Sequence, residues 1–341
     1  MSFKTRVSRC CPVRFVGRII SKCWASCGAF AFICFILYWL YGGIFLFFLL
    51  CFATTGVLYR MEDLLLYHPE LPSHSRVYVP APSMFNLPYQ SVYTRTVDGT
   101  MLHMFFISQP DDKAKDVPTV LFLHGNAGNM GHRLQNVSGL YHNIQCNVLM
   151  LEYRGYGLSQ GTPSEEGLYM DARAGLDYLS SRNDINHNEI IVFGRSLGGA
   201  VAIDLATRPE NSHRIWCLIL ENTFTSIPDM AALLTSSKLL QYVPLLLYKN
   251  KYMSLLKISS VSVPTLFVSG LGDALVPPRM MTELYKRCNS SCKRMLPIPG
   301  GTHNETWNQS GYYKSICDFL AELRQSPPLR VPPSHWQINE I

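Results

Sequence analysis

Ile190-Ile-Val-Phe-Gly-Arg-Ser196-Leu-Gly-Gly-Ala-Val-Ala-Ile-Asp-Leu-Ala-Thr207 is the stretch around which the rest of the chain can be organised. Its first part, Ile190–Phe193, is apolar without alternation, as suits a strand buried on both faces of a parallel sheet. A helix candidate, Leu197–Thr207, begins after three intervening residues. A strand that turns into a helix this abruptly holds the intervening serine in a strained conformation, with its hydroxyl exposed at the strand's C-terminal edge. Gly194 and Gly198, two before and two after Ser196, let neighbouring backbone pass close by. The helix N-terminus behind the serine offers the free N–H of Leu197 and a partial positive charge. Gly-x-Ser-x-Gly alone is a weak signal; its place between a strand and a helix gives it weight.

Outward from that stretch, short apolar runs of the same kind occur at Thr119–Leu123, Val148–Leu151, Leu218–Leu220, Thr265–Ser269 and Met295–Ile298. Helix candidates lie between them at Gly131–Asn143, Glu165–Arg182 and Arg279–Arg287, with Ser164 a weak N-cap for the second. Gln90–Thr96 and Leu102–Ser108 flank the turn residues Asp98–Gly99 and read as an antiparallel pair. This alternation predicts an α/β fold with a mostly parallel, doubly wound sheet. Asn222–Val263 separates two strand candidates by more chain than a crossover needs and predicts a helical cap insertion with an apolar face. The folded domain is expected over 90–324, with the cap at 222–263, a linker at 58–89 and a disordered tail at 325–341.

An exposed serine becomes a nucleophile only with a base beside it and an acid behind the base. Strand Thr265–Ser269 runs into Gly270-Leu-Gly-Asp273, and strand Met295–Ile298 runs into Pro299-Gly-Gly-Thr-His303. Both loops are expected at the sheet edge that carries Ser196, where open α/β folds bind ligands. His303 would take the serine proton and Asp273 would orient the imidazole. The other histidines of the domain and its linker, His68, His74, His103, His132, His142, His187 and His213, have no such position. Leu123-His124-Gly-Asn126-Ala-Gly128 ends another strand, and the backbone N–H of Asn126, paired with that of Leu197, is expected to face a developing oxyanion. His124 is expected to shape that loop rather than react.

These residues resemble the α/β-hydrolase superfamily, and within it the α/β hydrolase domain-containing proteins. The likeness rests on His124-Gly-Asn-Ala-Gly-Asn, Tyr153-Arg-Gly-Tyr-Gly, Ser164-Glu-Glu-Gly-Leu-Tyr, Phe193-Gly-Arg-Ser-Leu-Gly-Gly-Ala-Val-Ala and Gly301-Thr-His-Asn. It extends from the apolar N-terminal run to about residue 325. It implies a single-pass type II membrane serine hydrolase whose triad is Ser196, Asp273 and His303. Related membrane-tethered branches act on lysophospholipids, monoacylglycerols or protein-bound acyl chains, which points to a lipid-like ester or thioester. Acyl transfer or peptide cleavage on the same triad, and a non-catalytic scaffold on the same fold, stay open at this stage.

Of 341 residues, 48% are hydrophobic and 16% charged, and the formal net charge is +6. Seven basic residues (Lys4, Arg6, Arg9, Arg14, Arg18, Lys22 and Arg60) and no acidic ones fall in residues 1–60. The remainder then holds 23 basic against 24 acidic residues, a net of −1, so no nucleic-acid surface is indicated. Between Lys22 and Arg60 run 37 uncharged residues, whereas about 20 apolar residues span a bilayer. A signal-anchor helix is expected at 37–57, following a basic cytoplasmic segment and the start of the apolar run at 1–36. The flanking charges would put the domain on the lumenal or extracellular side; a break at Gly42–Gly43 would instead make a hairpin and leave it in the cytosol.

Asn136, Asn289, Asn304 and Asn308 begin N-x-Ser/Thr acceptors that a lumenal domain could glycosylate. Cys10, Cys11, Cys23 and Cys27 lie near the membrane, where thiols can be acylated, and Cys34 and Cys51 read as helix filler. Cys146 and Cys217 read as buried thiols, and Cys288 and Cys292 are close enough in sequence to bridge. No metal-ligand motif and no dinucleotide fingerprint appears, so no cofactor and no metal are expected. The expected partners are the bilayer and an acyl substrate, with no nucleic acid.

Overall fold

Residues 12–234 and 243–325 are described by a computed structural model; the first eleven residues and the expected tail beyond Gln325 lie outside them. The chain divides into two units, one ending at Arg60 and one beginning at Met61. Helix α1 (Pro12–Leu66) accounts for the described part of the first. Its segment Gly28–Val57 is long and apolar enough to cross a membrane. The helix is much longer than the expected 37–57 and runs unbroken through Gly42–Gly43, so the hairpin break is not present. Two glycines cost a helix about 1 kcal/mol each, too little to break one so long. Pro69 follows shortly after the end of α1.

Of the second unit, the expected linker 58–89 is no free connection. Its first residues belong to α1, and the rest packs on the domain, with Tyr67, Ser75 and Leu87 buried. Asn129 Nδ2 donates to the carbonyls of Ser75 and Tyr78, both at 2.9 Å.

The strands β1 (Tyr89–Arg95), β2 (Met101–Ile107), β3 (Thr119–Leu123), β4 (Asn147–Leu151), β5 (Ile190–Arg195), β6 (Cys217–Glu221), β7 (Thr265–Gly270) and β8 (Lys293–Ile298) form one sheet in the order β1-β2-β4-β3-β5-β6-β7-β8. β1 and β2 pair antiparallel, as do β2 and β4; every other pair is parallel. Residues of β3 to β7 are buried throughout, as the unalternating apolar runs require.

The helices are α2 (Leu134–Ile144), α3 (Glu165–Ser181), α4 (Leu197–Thr207), the single turn α5 (Pro209–Ser212), α6 (Ile227–Leu234), the short α7 (Ser254–Lys257), α8 (Pro278–Arg287) and α9 (Tyr312–Gln325). Strand side chains alternate between two cores. Leu121, Val192, Leu218 and Phe267 pack with α3, α4 and α8. Val120, Phe122, Phe193 and Leu266 pack with α2 and α9 on the other face. Each such side chain contributes roughly 1.5–3 kcal/mol by leaving water. This two-sided cover makes the sheet rigid enough to present its C-terminal edge as a fixed platform.

The stretch expected as a cap contains α6, a 3-10 turn at Leu245–Leu247, and α7; residues 235–242 lie outside the described part. Leu234, Leu245 and Leu246 are exposed there. The Cys288–Cys292 bridge does not exist, because both thiols are free. Cys288 packs in the core with α8 and Cys292 against the core with α9, on opposite faces of the sheet.

Candidate active site

Ser196 has φ 53° and ψ −119°, a conformation costly for any residue with a side chain and sustained here by what surrounds it. Its N–H donates to Glu221 O at 2.9 Å, and Thr223 Oγ1 donates to its carbonyl at 2.7 Å. The turn is so tight that a Cβ on Gly194 would lie 2.3 Å from the carbonyl oxygen of Gly198. A Cβ on Gly198 would lie 2.1 Å from the carbonyl oxygen of Leu123, so α4 sits directly against the end of β3.

The loops after β7 and β8 bring the other two residues to the same edge. His303 Nε2 is 3.0 Å from Ser196 Oγ, placed to accept the hydroxyl proton. His303 Nδ1 donates to Asp273 Oδ2 at 2.7 Å. Asp273 is buried, and its Oδ1 accepts the N–H groups of Leu275 and Val276 at 2.9 and 2.8 Å. The two loops are laced together, with Gly272 N–H on Gly301 O at 2.8 Å. All three residues singled out in the sequence therefore meet in one hydrogen-bonded line.

On the other side of Ser196 lies the loop after β3. A Cβ on Gly125 would be 3.5 Å from that of Ser196, so the loop passes directly beside the serine. Neither Asn126 N–H nor Leu197 N–H has a partner among the described residues. The Asn126 side chain is fully engaged. Its Oδ1 accepts Tyr156 OH at 2.9 Å and His68 N–H at 3.3 Å, and its Nδ2 donates to Leu66 O. His124 is completely buried and shapes the loop as expected: Nδ1 donates to Gly125 O at 2.7 Å, and Nε2 lies 3.1 Å from Glu152 Oε1.

Two positioning residues went unrecognised in the sequence. Asn222, at φ 47°, follows β6, and its Nδ2 reaches Thr306 Oγ1 at 2.9 Å and the carbonyls of Thr302 and His303 at 3.2 and 3.3 Å. Its Oδ1 accepts Gly270 N–H at 2.8 Å, so one side chain holds the Asp273 and His303 loops. Arg195 donates to Asn304 Oδ1 at 2.6 Å and lies 3.6 Å from Glu221, joining the neighbours of Ser196 and His303. The available signal was position alone: both lie where a strand ends at the edge that carries Ser196.

Of the four glycosylation acceptors, Asn136 is withdrawn. It is buried in α2, with its amide nitrogen 3.4 Å from Tyr313 OH, and a glycan there has no room. Asn289, Asn304 and Asn308 are exposed. A cavity of about 320 Å³ lies in the cap stretch, lined by Thr225, Pro228, Val243, Met253 and Leu255 among others; Ser196, Asp273 and His303 are not in its wall. Among the described residues, no three His, Cys, Asp or Glu are grouped to hold a metal ion.

Comparison with known proteins places this geometry in context. The alpha/beta hydrolase fold family matches residues 118–247. The alpha/beta hydrolase domain-containing protein WAV2 of Arabidopsis thaliana is 40% identical over 287 residues, covering 79% of this chain and 90% of that one. An uncharacterized membrane protein of Saccharomyces cerevisiae is 35% identical over 275 residues, covering 79% and 92%. Among solved structures, the Pyrococcus furiosus esterase Pf2001 superposes with a TM-score of 0.57 at 20% identity, covering 72% of this chain and 97% of that one, a likeness of fold.

Proposed function

The chain belongs to the α/β-hydrolase family, and from that premise we propose that it is a membrane-anchored serine hydrolase acting on an ester or thioester of an acyl chain. The observation that carries this reading is the line Asp273–His303–Ser196, with contacts of 2.7 and 3.0 Å at the end of a buried parallel sheet. His303 draws the proton from Ser196 as Oγ attacks the acyl carbonyl, and Asp273 steadies the imidazolium. The unpaired N–H groups of Asn126 and Leu197 receive the oxyanion. His303 then protonates the leaving group, and water, activated by the same imidazole, releases the acyl-enzyme. The cap cavity and its exposed leucines are the proposed place for the acyl chain.

Gly28–Val57 is proposed as a single membrane span, with the basic N-terminus cytoplasmic and the hydrolase domain lumenal or extracellular. Asn289, Asn304 and Asn308 are then the available glycan acceptors.

A fluorophosphonate probe tests the reading. Expected is covalent labelling of the full-length chain that disappears in Ser196→Ala, with turnover of acyl esters down by about a millionfold. Labelling that persists in the variant, or none in permeabilised cells, overturns it. A cell-impermeant version of the probe then reports the side of the membrane.

A further inference from the structure

β3 and β4 are parallel neighbours with Leu123 opposite Leu151, so the residues that follow, His124 and Glu152, leave the sheet edge side by side. Both side chains are wholly buried, with His124 Nε2 3.1 Å from Glu152 Oε1 in a bent approach. Neither of these two atoms has another partner among the described residues. Glu152 Oε2 accepts Met130 N–H at 3.1 Å. The rings of Tyr153 and Tyr156 flank the imidazole, with centroids 4.4 and 5.5 Å away, and leave it little room to turn.

A carbonyl oxygen can only accept, so His124 Nδ1 carries the hydrogen of its 2.7 Å bond to Gly125 O. That carbonyl and the N–H of Asn126 belong to one planar trans peptide and point in opposite directions. Fixing the carbonyl therefore fixes the N–H. The Asn126 N–H has no partner of its own among the described residues, and Gly125, lacking a Cβ, offers little resistance to a turn of this peptide. The peptide passes beside the nucleophile, since a Cβ on Gly125 would be 3.5 Å from that of Ser196. Two wholly buried ionisable side chains are costly to keep in a fold. Here the pair ends on the carbonyl that sets the direction of a proposed oxyanion donor.

We propose that His124 and Glu152 are paired positioning residues for the reaction at Ser196. The carboxylate orients the imidazole, the imidazole holds Gly125 O, and the Gly125–Asn126 peptide keeps its N–H turned toward the developing oxyanion. The inference rests on the hydrolase reading above. Its test measures kcat and KM on a short acyl ester, and the affinities of octyl trifluoromethyl ketone and octyl methyl ketone, with the full-length chain in phosphatidylcholine nanodiscs. Ser196 Oγ adds to the trifluoromethyl ketone, the hydroxyl proton passes to His303 Nε2, and the carbonyl π pair moves onto oxygen as a stable oxyanion. The methyl ketone binds without that addition.

In Glu152→Leu, kcat and trifluoromethyl ketone affinity should each fall roughly ten- to a hundredfold, a partial loss of what one oxyanion donor supplies. KM and methyl ketone affinity should stay within about twofold of wild type, because ground-state binding does not use that donor. Glu152→Gln is the rescuing variant. Its Oε1 accepts Met130 N–H while its Nε2 donates to an unprotonated His124 Nε2, so most of both losses should be recovered. Should Glu152→Leu not fold, Glu152→Asp, whose carboxylate is drawn back by one methylene, must lower the ratio of the two ketone affinities by about threefold or more. Equal loss of both ketones, an unchanged kcat in Glu152→Leu, an unchanged ratio in Glu152→Asp, or Glu152→Gln as impaired as Glu152→Leu overturns the proposal. Failure of the hydrolase reading would show separately, as absent fluorophosphonate labelling of the unsubstituted chain.

Discussion

The side-chain amide of Asn126 donates to the carbonyl of Leu66, the last residue of α1. The loop beside Ser196 is thereby tied to the first residues of the second unit. The next two residues extend the tie, for Ala127 forms a parallel bridge with His68, and Gly128 N–H donates to His68 O at 3.3 Å. Glu62 and Asp63, in the last turns of α1, bind Asn250 in the cap stretch, through its backbone N–H at 2.7 Å and its Nδ2 at 2.8 Å. One short segment therefore braces both the proposed oxyanion loop and the cap.

Asn126→Ala is expected to lower kcat by roughly ten- to a hundredfold, with KM changed little. The variant keeps the backbone N–H but frees its orientation, a partial loss of what one oxyanion donor supplies. Tyr156→Phe removes only the 2.9 Å bond to Asn126 Oδ1 and should cost less. Steady-state kinetics on a short acyl ester decides; equal kcat in all three proteins would show that the side-chain clasp does not set the loop.

Asn222→Ala should both destabilise and inactivate. It strips Gly270 N–H of its partner and removes the bridge to Thr306 Oγ1, and a polar group left buried and unsatisfied costs about 1–3 kcal/mol. Asn222→Gly relieves the positive φ but not the lost bonds, so backbone strain is excluded as the cause if both variants behave alike. Thermal unfolding with parallel kinetics separates the effects, and wild-type values for either variant would contradict the assigned role.

Gly194→Ala is expected to give little folded protein. The added carbon would meet Gly198 O at 2.3 Å and Ala202 Cβ at 2.7 Å, backbone and core with nowhere to move. Overpacking of this kind costs about 1–3 kcal/mol and occasionally more. Soluble yield and melting temperature are the readouts, and an unchanged melting temperature would mean that the elbow is looser than described.

Acidification should weaken the fold through His103. This residue is buried on β2, with Nε2 on Ser91 Oγ at 2.9 Å and Nδ1 unpartnered. Burial lowers its pKa from the ordinary 6.5, against the opposing charge of Glu152. A depressed folded pKa means that the unfolded chain binds the proton more tightly. Its contribution to stability is therefore complete above pH 6.5 and declines as pH falls from there toward the folded value. Melting temperatures between pH 7.5 and about 5 should fall less steeply in His103→Gln; identical slopes would remove His103 as a source.

How much could be read in advance differed by element. The strands Thr119–Leu123 and Thr265–Gly270 and helix Leu197–Thr207 were legible because burial on two faces permits no polar alternation, and because strand, glycine and serine adjoin in sequence. Helix α9 escaped, although Tyr312, Ile316, Phe319, Leu320 and Leu323 follow the helical period on its buried face. The Cys288–Cys292 pairing failed for the opposite reason: nearness in sequence says nothing about which face of a sheet a side chain enters.

By itself the sequence determined the strand-turn-helix around Ser196, the order serine, acid, histidine, and an apolar segment fit to cross a membrane. Each depends on local spacing, which hydrophobic burial and backbone sterics read directly. Only the tertiary structure decided that Asn126 is clasped from Leu66 and that Asn222 holds two loops at once. Those relations join residues tens of positions apart, and a hydrogen bond exists only once folding has set both groups at bonding distance.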